Sequence, residues 1–390
     1  MGETTKANSW RVLLWVTACA VMVSLVACGA TGNGSSAQEP AQSTATEASS
    51  TTGASSSTSP AVLDGWKEDS SAMASLKEFV GASVDKNSEG YIPPEDRIAV
   101  FDMDGTLLGE RFPTYFNDWL YIQRALYDKS YDAPQELRDF AQRWENKVLR
   151  GAEFENFDEM ERKLGPKLYE GLTVEEYMDV VRKFKDMPAW GFEGMTYGEG
   201  FFDPMVAVVE YLHENGYTIY VNSGTYRDAV RVMMEGTLDQ WIPANQVIGT
   251  DLLFKASGQG NDDGLDYTMQ PDENLEVAGE LFVKNLKTNK VLAMEREIGK
   301  RPVLAFGNSG GDFAMANYAL GNKNYKGRAY MLLCDNTEQD YGDPKVAKEF
   351  ADKCDAAGFV TISMANDWTT IYGKDVHKVE HEGEELAAAA

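Results

Sequence analysis

Five short runs of apolar and aromatic residues constrain the fold of this 390-residue chain more than any other feature. They lack the alternation of apolar and polar residues typical of a strand with one face in water, so they predict strands covered on both faces. Helical patterns separate them, and strands that alternate with helices at this spacing predict an α/β fold with a Rossmann-like parallel sheet sandwiched by helices. The predicted strands are 97–101, 217–222, 302–306, 329–333 and 359–363.

The predicted helices form two groups. One group accompanies the strands, at 64–86, 205–215, 226–235, 287–298, 312–318 and 344–357. The other group follows the first strand without a strong strand of its own, at 116–129, 134–149, 155–164 and 174–185. Because the strands resume afterwards as if one sheet were being completed, we predict that the second group is a mainly α-helical cap inserted into the sheet domain.

The first 28 residues predict a secretion signal rather than part of the fold. Lys6 and Arg11 precede an apolar stretch at 12–26, which is too short for a comfortable membrane span. Residues 30–60 are mostly Ser, Thr, Ala and Gly, a composition that predicts a flexible tether with a reach of about 30 Å. An uncleaved signal anchor is the alternative, and either interpretation places the body of the protein outside the cytoplasm.

The sequence therefore predicts five segments along the chain. They are a signal peptide at 1–27, a tether at 28–62, a core made of 63–106 and 203–379, a helical cap at 107–202, and an acidic and Ala-rich tail at 380–390.

Composition excludes several partners and sites. The net charge of −26 repels nucleic acid and anionic lipid, so neither is predicted as a partner. Three histidines make a His-based metal or triad site improbable. In an oxidising compartment, Cys334 and Cys354 leave two alternatives open, a disulfide or two buried thiols. The sequence indicates no oligomeric state.

Polar clusters follow three of the predicted strands. They read D-M-D-G-T at 102–106, N-S-G-T at 222–225 and G-N-S-G-G-D at 307–312. Open parallel sheets bind ligands beyond the carboxyl ends of their strands, so these clusters are candidates for one site. Asp102 and Asp104 crowd two carboxylates together, which is costly unless a cation or a shared proton relieves them. With Asp312 they predict an oxygen-rich site for a hard ion such as Mg²⁺.

These clusters resemble the signature motifs of the haloacid dehalogenase superfamily, in its phosphatase branch. V-F-D-M-D-G-T-L at 100–107 resembles motif I, Y-V-N-S-G-T at 220–225 motif II, and A-F-G-N-S-G-G-D at 305–312 motif IV. The resemblance covers roughly residues 95 to 370, with the helical insertion at the type-1 cap position. Separately, L-V-A-C-G at 25–29 resembles a bacterial lipobox, which implies that Cys28 becomes a lipidated N-terminus.

The resemblance implies a role for each motif residue. Asp102 is the nucleophile that forms an aspartyl-phosphate, and Asp104 is the proton carrier. Ser223, with Gly224 beside it, binds a phosphoryl oxygen. Mg²⁺ is held by Asp102, Asp104 and motif IV.

Two features of the implied site stay open at this point. Motif III supplies a lysine, and its helix position favours Lys290, with Lys287 as the alternative. Motif IV carries Asn308 where many relatives have an aspartate, so we expect Asn308 to be a neutral metal ligand and Asp312 to carry the acidic role.

The sequence as a whole thus predicts a Mg²⁺-dependent phosphomonoester hydrolase that acts on a small phosphorylated metabolite. It is expected to be extracytoplasmic and attached to the bacterial cell membrane by an N-terminal lipid anchor only. Phosphotransfer to an acceptor other than water and a catalytically silent binding lipoprotein are the alternatives. A dehalogenase needs no Asp104, and the transport ATPases carry a lysine where this chain has Met103, so both reactions are disfavoured.

Overall fold

A seven-stranded sheet organises residues 63–379, the part of the chain that the computed structural model describes. The strands of this part are β1 (Ile98–Phe101), β2 (Phe192–Glu193), β3 (Thr218–Tyr226), β4 (Val247–Ala256), β5 (Leu275–Val283), β6 (Leu304–Gly307), β7 (Arg328–Leu333), β8 (Val360–Ser363) and β9 (His377–Lys378). The sheet order is β5-β4-β3-β1-β6-β7-β8, and every neighbouring pair is parallel except β4 with β5. β2 and β9 form a separate antiparallel pair.

The helices of the described residues lie between these strands. They are α1 (Ser71–Val84), α2 (Phe116–Leu126), α3 (Gln135–Arg150), α4 (Phe157–Leu164), α5 (Val174–Lys185), α6 (Asp203–Glu214), α7 (Arg227–Met234), α8 (Thr288–Glu297), α9 (Phe313–Leu320) and α10 (Pro344–Ala357). None of them is long and apolar enough to span a membrane. The predicted α/β class, a parallel sheet flanked by helices with a mainly helical insertion, is confirmed.

The centre of the sheet is buried because its strands are apolar on both faces. All four residues of β1 and all four of β6 are buried. The rings of Phe101 and Phe306 stack with their centroids 4.2 Å apart, and Phe306 also stacks on Tyr330 at 5.1 Å. Aromatic pairs in such contact add to the free energy of burial, so this stack ties β1, β6 and β7 together on one face.

Strands β4 and β5 were not predicted from the sequence. Gly249 and Asp251 interrupt the apolar run of β4, and Gly279 interrupts β5. β5 is the edge strand of the sheet and remains largely accessible, with Phe282 at 67% exposure. An edge strand needs no continuous apolar sequence, which is why the pattern of buried strands did not reveal it.

The four helices α2 to α5 form the insertion between β1 and β3. α5 begins at a capping box in which Thr173 and Glu176 satisfy each other's backbone N–H groups. It is fastened to the core because Arg182 donates two hydrogen bonds to Glu235, at 2.9 and 3.2 Å, just beyond α7. The cap boundaries at 107 and 202 stay a prediction.

Several predictions fall on residues that the structure does not describe. The signal peptide, Cys28, the tether and the tail at 380–390 lie outside residues 63–379. Of the cysteines within that range, Cys334 and Cys354 are both free and Cys354 is buried. Of the two alternatives left open, the structure therefore has the separate thiols.

We predict that Phe306→Ala lowers the free energy of unfolding by about 3–5 kcal/mol, because it opens a cavity in the stack that joins three strands. Urea unfolding followed by circular dichroism measures this. Phe282→Ala removes the same side chain from an exposed position of β5 and is expected to stay within about 0.5 kcal/mol of the parent. Equal losses in the two variants would contradict the proposed role of the stack.

Candidate active site

Three adjacent strands bring the predicted site residues to one edge of the sheet. β1 is paired on one side with β3 and on the other with β6, and all three run parallel. Their carboxyl ends therefore meet, which places Asp102 after β1, Ser223 within β3 and Asp312 after β6 close together. The side chains of these residues are 6%, 0% and 1% exposed.

Lys290 joins two of these carboxylates. Its ammonium group donates to Asp102 Oδ1 at 2.5 Å and to Asp312 Oδ1 at 2.7 Å, and the side chain is buried. Burial acts to lower the pKa of Lys290, but the two carboxylates outweigh burial and raise it, so the ammonium stays charged. Lys290 reaches this position from the first turn of α8.

Asp102 is the acid whose environment is least favourable to its charge. Burial and the Asp312 carboxylate raise its pKa, and the Lys290 ammonium opposes them. Besides Lys290, Asp102 accepts a long hydrogen bond of 3.5 Å from Thr106. One ammonium group cannot neutralise both aspartates and Asp104 as well, so the site carries an excess of negative charge.

Asp104 is held by two hydroxyl groups of β3. Its Oδ2 accepts a hydrogen bond of 2.8 Å from Thr225 and a longer one of 3.5 Å from Ser223. Its Oδ1 is buried and has no hydrogen-bond partner. Burial raises the pKa of Asp104 to about 6, although the Thr225 hydrogen bond acts in the opposite direction. Such a carboxyl group can both give and take a proton near neutral pH.

Ser223 and Thr225 point to the same carboxylate because they are two residues apart on β3, and alternate side chains of a strand share one face. The pairing of β3 with β4 is regular as far as Asn222 and resumes at Tyr226 with a shifted register. Bulges of this kind reorient side chains next to active sites. The sequence predicts no role for Thr225, because its contact with Asp104 is made across the fold.

Asp312 closes the loop that follows β6. Its Oδ2 accepts hydrogen bonds from the backbone N–H groups of Asn308 and Ser309, at 3.2 and 3.1 Å, and from the Ser309 hydroxyl at 3.1 Å. Three of these donors thus share Oδ2, and Lys290 bonds Oδ1. Asp312 therefore orients the loop and Lys290.

Asn308 faces the motif I loop. Its Nδ2 donates to Glu110 Oε2 at 2.9 Å, which fixes the orientation of the amide. Burial raises the pKa of Glu110 to about 7. Gly105 lies against this pair with a φ of +76°, and a Cβ there would collide with both Asn308 and Glu110. Glycine is therefore required at this position.

Asparagine side chains behind the site hold motif II and α8 in register. Asn285 Nδ2 donates to Asn222 Oδ1 at 2.7 Å and to the Ser223 carbonyl at 2.9 Å. Asn222 Nδ2 in turn donates to the Lys290 carbonyl at 3.1 Å. The positions of Ser223 and Lys290 are thus coupled through buried amides, which a single sequence gives no reason to single out.

The two other predicted phosphate-binding residues lie at the wall of the same cavity. Gly224 lines it beside Leu286, and Lys287 lines it as an exposed residue with a φ of +55°. Of the two candidate lysines, the structure brings Lys290 into contact with Asp102, and it gives Lys287 no hydrogen bond or ion pair to either aspartate.

A divalent cation fits this arrangement because the site offers oxygen ligands and carries an excess of negative charge. Within residues 63–379, no three His, Cys, Asp or Glu side chains are grouped so that they could hold a metal by themselves. Mg²⁺ is usually bound by one or two carboxylates with waters and substrate oxygens, so Asp102 and the amide oxygen of Asn308 suit it. The excess negative charge at Asp102 and Asp104 is the repulsion that such an ion relieves.

The site opens into a cavity of about 380 Å³. Asp102, Asp104 and Lys290 line it from the sheet, and Asp118, Trp144 and Phe157 line it from the insertion. This volume suits a small organic molecule. Residues of the insertion therefore face whatever is bound to the sheet residues.

Comparison with known proteins shows one family similarity. A sequence model described as haloacid dehalogenase-like hydrolase matches residues 99–317, which is more than half of the chain. A search of the curated proteins finds no match.

Several solved structures are similar at low identity. A conserved protein of unknown function from Anaerococcus prevotii DSM 20548 is 16% identical over 80% of this chain and 96% of its own, with a TM-score of 0.46. Cytosolic 5'-nucleotidase IIIB bound to cytidine is 13% identical over 83% and 91%, with a TM-score of 0.44. A substrate-bound phosphoserine phosphatase is 16% identical over 68% and 92%, with a TM-score of 0.36. At these scores they carry no argument about the substrate.

We predict that the metal-free protein loses stability as the pH rises from about 4 to 8. A carboxyl group whose pKa is about 6 when folded and about 3.8 when unfolded stabilises the fold below the lower value. That contribution, up to about 3 kcal/mol for Asp104, is lost as the pH rises through 6. Asp104→Asn should therefore flatten the pH dependence of thermal unfolding measured in chelator.

Part of the slope should remain in that variant, because burial also raises the pKa of Glu110 and Asp118. Asp272→Asn, at an exposed position, is the matched control and should keep the parent's slope. An Asp104→Asn slope equal to that of the parent would show that this carboxyl is not the destabilised one.

Proposed function

Because the chain belongs to the haloacid dehalogenase-like hydrolases, we propose that it is a Mg²⁺-dependent phosphatase acting on a small phosphorylated metabolite. The observation that carries the proposal is the buried Lys290, bonded to Asp102, with Asp104 held apart from it by Thr225. The site therefore has two carboxyl groups with different partners, an ammonium group for Asp102 and a hydroxyl group for Asp104. Environments that separate two acids in this way assign them different chemical roles.

Asp102 is the nucleophile in this proposal. Its carboxylate attacks phosphorus and forms an aspartyl-phosphate as the bond to the leaving alcohol breaks. Asp104 gives its proton to the alcohol oxygen from Oδ1, the oxygen that no protein donor occupies. In the second half-reaction Asp104 takes a proton from water, the water oxygen attacks the aspartyl-phosphate, and inorganic phosphate leaves with Asp102 restored.

The remaining residues stabilise charge and hold positions. Lys290 faces the negative charge that develops on the phosphoryl oxygens, and Ser223 with Gly224 supplies hydrogen-bond donors to them. Lys287, exposed at the cavity, is given no catalytic role. The reaction needs these fixed donors because an anionic nucleophile approaches an anionic substrate.

Asp102, the backbone carbonyl of Asp104 and the amide oxygen of Asn308 would hold the metal. When bound, Mg²⁺ supplies a positive charge that draws the phosphate towards Asp102 and relieves the repulsion between the acids. We assign Asp312 a positioning role instead of the metal-ligand role predicted from the sequence, because its oxygens are already occupied by four donors.

We further propose that the enzyme works outside the cytoplasm, attached to the cell membrane through a lipid on Cys28. The support is the sequence at 1–28, a basic and then apolar segment that ends in L-V-A-C-G, followed by the polar tether. A tether of this length lets the catalytic body reach small molecules beyond the membrane surface.

We predict Mg²⁺-dependent hydrolysis of p-nitrophenyl phosphate, with turnover falling at least about 10³-fold in Asp102→Asn because no other group can accept the phosphoryl. Released p-nitrophenol and phosphate are measured with and without chelator. Added Mg²⁺ should also raise the thermal unfolding midpoint, since a ligand that binds only the folded state stabilises it.

The matched control is Asp262→Asn, an exposed aspartate away from the site, which should keep the parent's rate. Asp102→Asn turning over as fast as the parent would contradict the nucleophile assignment and leave a binding protein as the alternative. Nitrophenol release in excess of phosphate release, with an added alcohol, would identify a phosphotransferase.

We predict that Cys28→Ala abolishes lipid attachment and leaves the protein unprocessed when it is expressed in a bacterial host. Membrane fractionation and the mass of the mature N-terminal peptide measure this. The outcome that contradicts the anchor is a variant that is processed and membrane-bound to the same extent as the parent. Cys354→Ala is the control for loss of a cysteine elsewhere, and it should leave attachment unchanged.

A further inference from the structure

The wall of the cavity that faces the sheet residues carries an acid with no partner. Asp118 lies in the first turn of α2 and lines the cavity. Among the described residues, no side chain forms an ion pair or hydrogen bond with its carboxylate. The dipole of the helix acts in favour of a negative charge in its first turn, so an ion pair formed at this position would gain from it.

Among the described residues no cation is bonded to Asp118, although Lys284 and Lys147 act on it from a distance and lower its pKa. Among the neighbouring charges, Glu161 has the largest effect on the pKa of Asp118. Lys284 could neutralise either acid, but its ammonium group is bonded to Glu161 at 2.8 Å. Burial and the Glu161 charge accordingly raise the pKa of Asp118 to about 8. An unpaired buried carboxylate is costly, and a cationic ligand in the cavity would remove that cost.

A second unsatisfied acceptor lies beside Asp118. Asn117 is 8% exposed and lines the same cavity, and its Oδ1 is buried without a hydrogen-bond donor. Buried polar atoms in native proteins are nearly always paired, so this oxygen points to a donor that the protein itself does not supply. Two adjacent acceptors without donors favour a ligand that brings N–H groups.

Aromatic rings complete this wall of the cavity. Trp144 and Phe157 meet edge to face with their centroids 5.0 Å apart, and Tyr115 lies at the N-terminus of α2. Rings of this kind tolerate a cation and the methylene groups that carry it. Of the cations that line the cavity, Lys284 and Lys290 are bonded to acids, and Arg162 and Lys287 are exposed, whereas Asp118 is partly buried.

We propose that the leaving group of the substrate carries a primary ammonium group that binds Asp118, which makes the substrates monophosphates of small amino alcohols. This proposal rests on the proposed phosphatase function. The phosphate lies at Asp102 and Lys290, and the ammonium lies across the cavity against the insertion. One substrate thereby brings its phosphate to Lys290 on one wall of the cavity and its ammonium group to Asp118 on the other.

The experiment compares four phosphomonoesters with the Mg²⁺-loaded full-length enzyme. Ethanolamine phosphate has the ammonium group, ethyl phosphate lacks it, glycerol phosphate offers neutral hydroxyl donors, and choline phosphate has the charge without N–H donors. We expect kcat/KM for ethanolamine phosphate to exceed each of the other three by roughly tenfold or more, since a buried ion pair discriminates by at least that factor.

The variant Asp118→Asn keeps the shape of the side chain and removes its charge. The ratio of kcat/KM for ethanolamine phosphate over ethyl phosphate should fall in it by roughly tenfold or more, mainly through KM. Glu159→Gln, an exposed acid of α4 that does not line the cavity, is the matched control and should keep the parent's ratio. Turnover of p-nitrophenyl phosphate by Asp118→Asn shows that the variant has folded.

The outcomes separate this proposal from the proposed function. An enzyme that hydrolyses p-nitrophenyl phosphate but shows no preference for ethanolamine phosphate overturns the ammonium assignment and leaves the phosphatase intact. Equal rates with glycerol phosphate or choline phosphate overturn the primary ammonium. A ratio that survives in Asp118→Asn overturns the role of that residue. The comparison of substrates in the parent holds even where the variant does not fold.

Discussion

The ion pairs of one buried lysine hold the site together. Lys290 connects Asp102, at the end of β1, with Asp312, behind β6, and its own helix is tied to β3 through Asn222. The ammonium group thus joins two strand ends, and the backbone of the same residue connects its helix to a third. Removing one partner of such a buried pair leaves an uncompensated charge, which is why these elements are fixed relative to one another.

The surroundings of the lysine separate the two acids of motif I. Asp102 faces the ammonium, and Asp104 faces the hydroxyl groups of Thr225 and Ser223. Both are buried, yet their partners differ in charge, so the two carboxyl groups lie in different electrostatic environments. The residues between them also matter, because Gly105 makes the sharp turn without a side chain that would displace Asn308.

Much of the sheet could be predicted from the sequence, and the reason is burial. Four of the five predicted strands, β1, β3, β6 and β7, lie inside the sheet, whereas β5 lies at an edge and carries Glu280 and Phe282 in exposed positions. The motif residues were also found, since their types and spacing are constrained by chemistry. What the sequence could not give are contacts made across the fold, such as Thr225 with Asp104 or Glu110 with Asn308.

The charge of the cavity relates the core to the insertion. The sheet side has three aspartates and one buried ammonium, and the insertion adds Asp118, to which no cation is bonded among the described residues. A phosphate dianion alone would deepen this excess of negative charge. A ligand set that balances it must bring positive charge to both sides, a metal ion at the sheet and an ammonium group at the insertion. In the proposed function, the excess of negative charge at the pair of aspartates is matched at the opposite wall by Asp118, which favours an alcohol that carries an ammonium group.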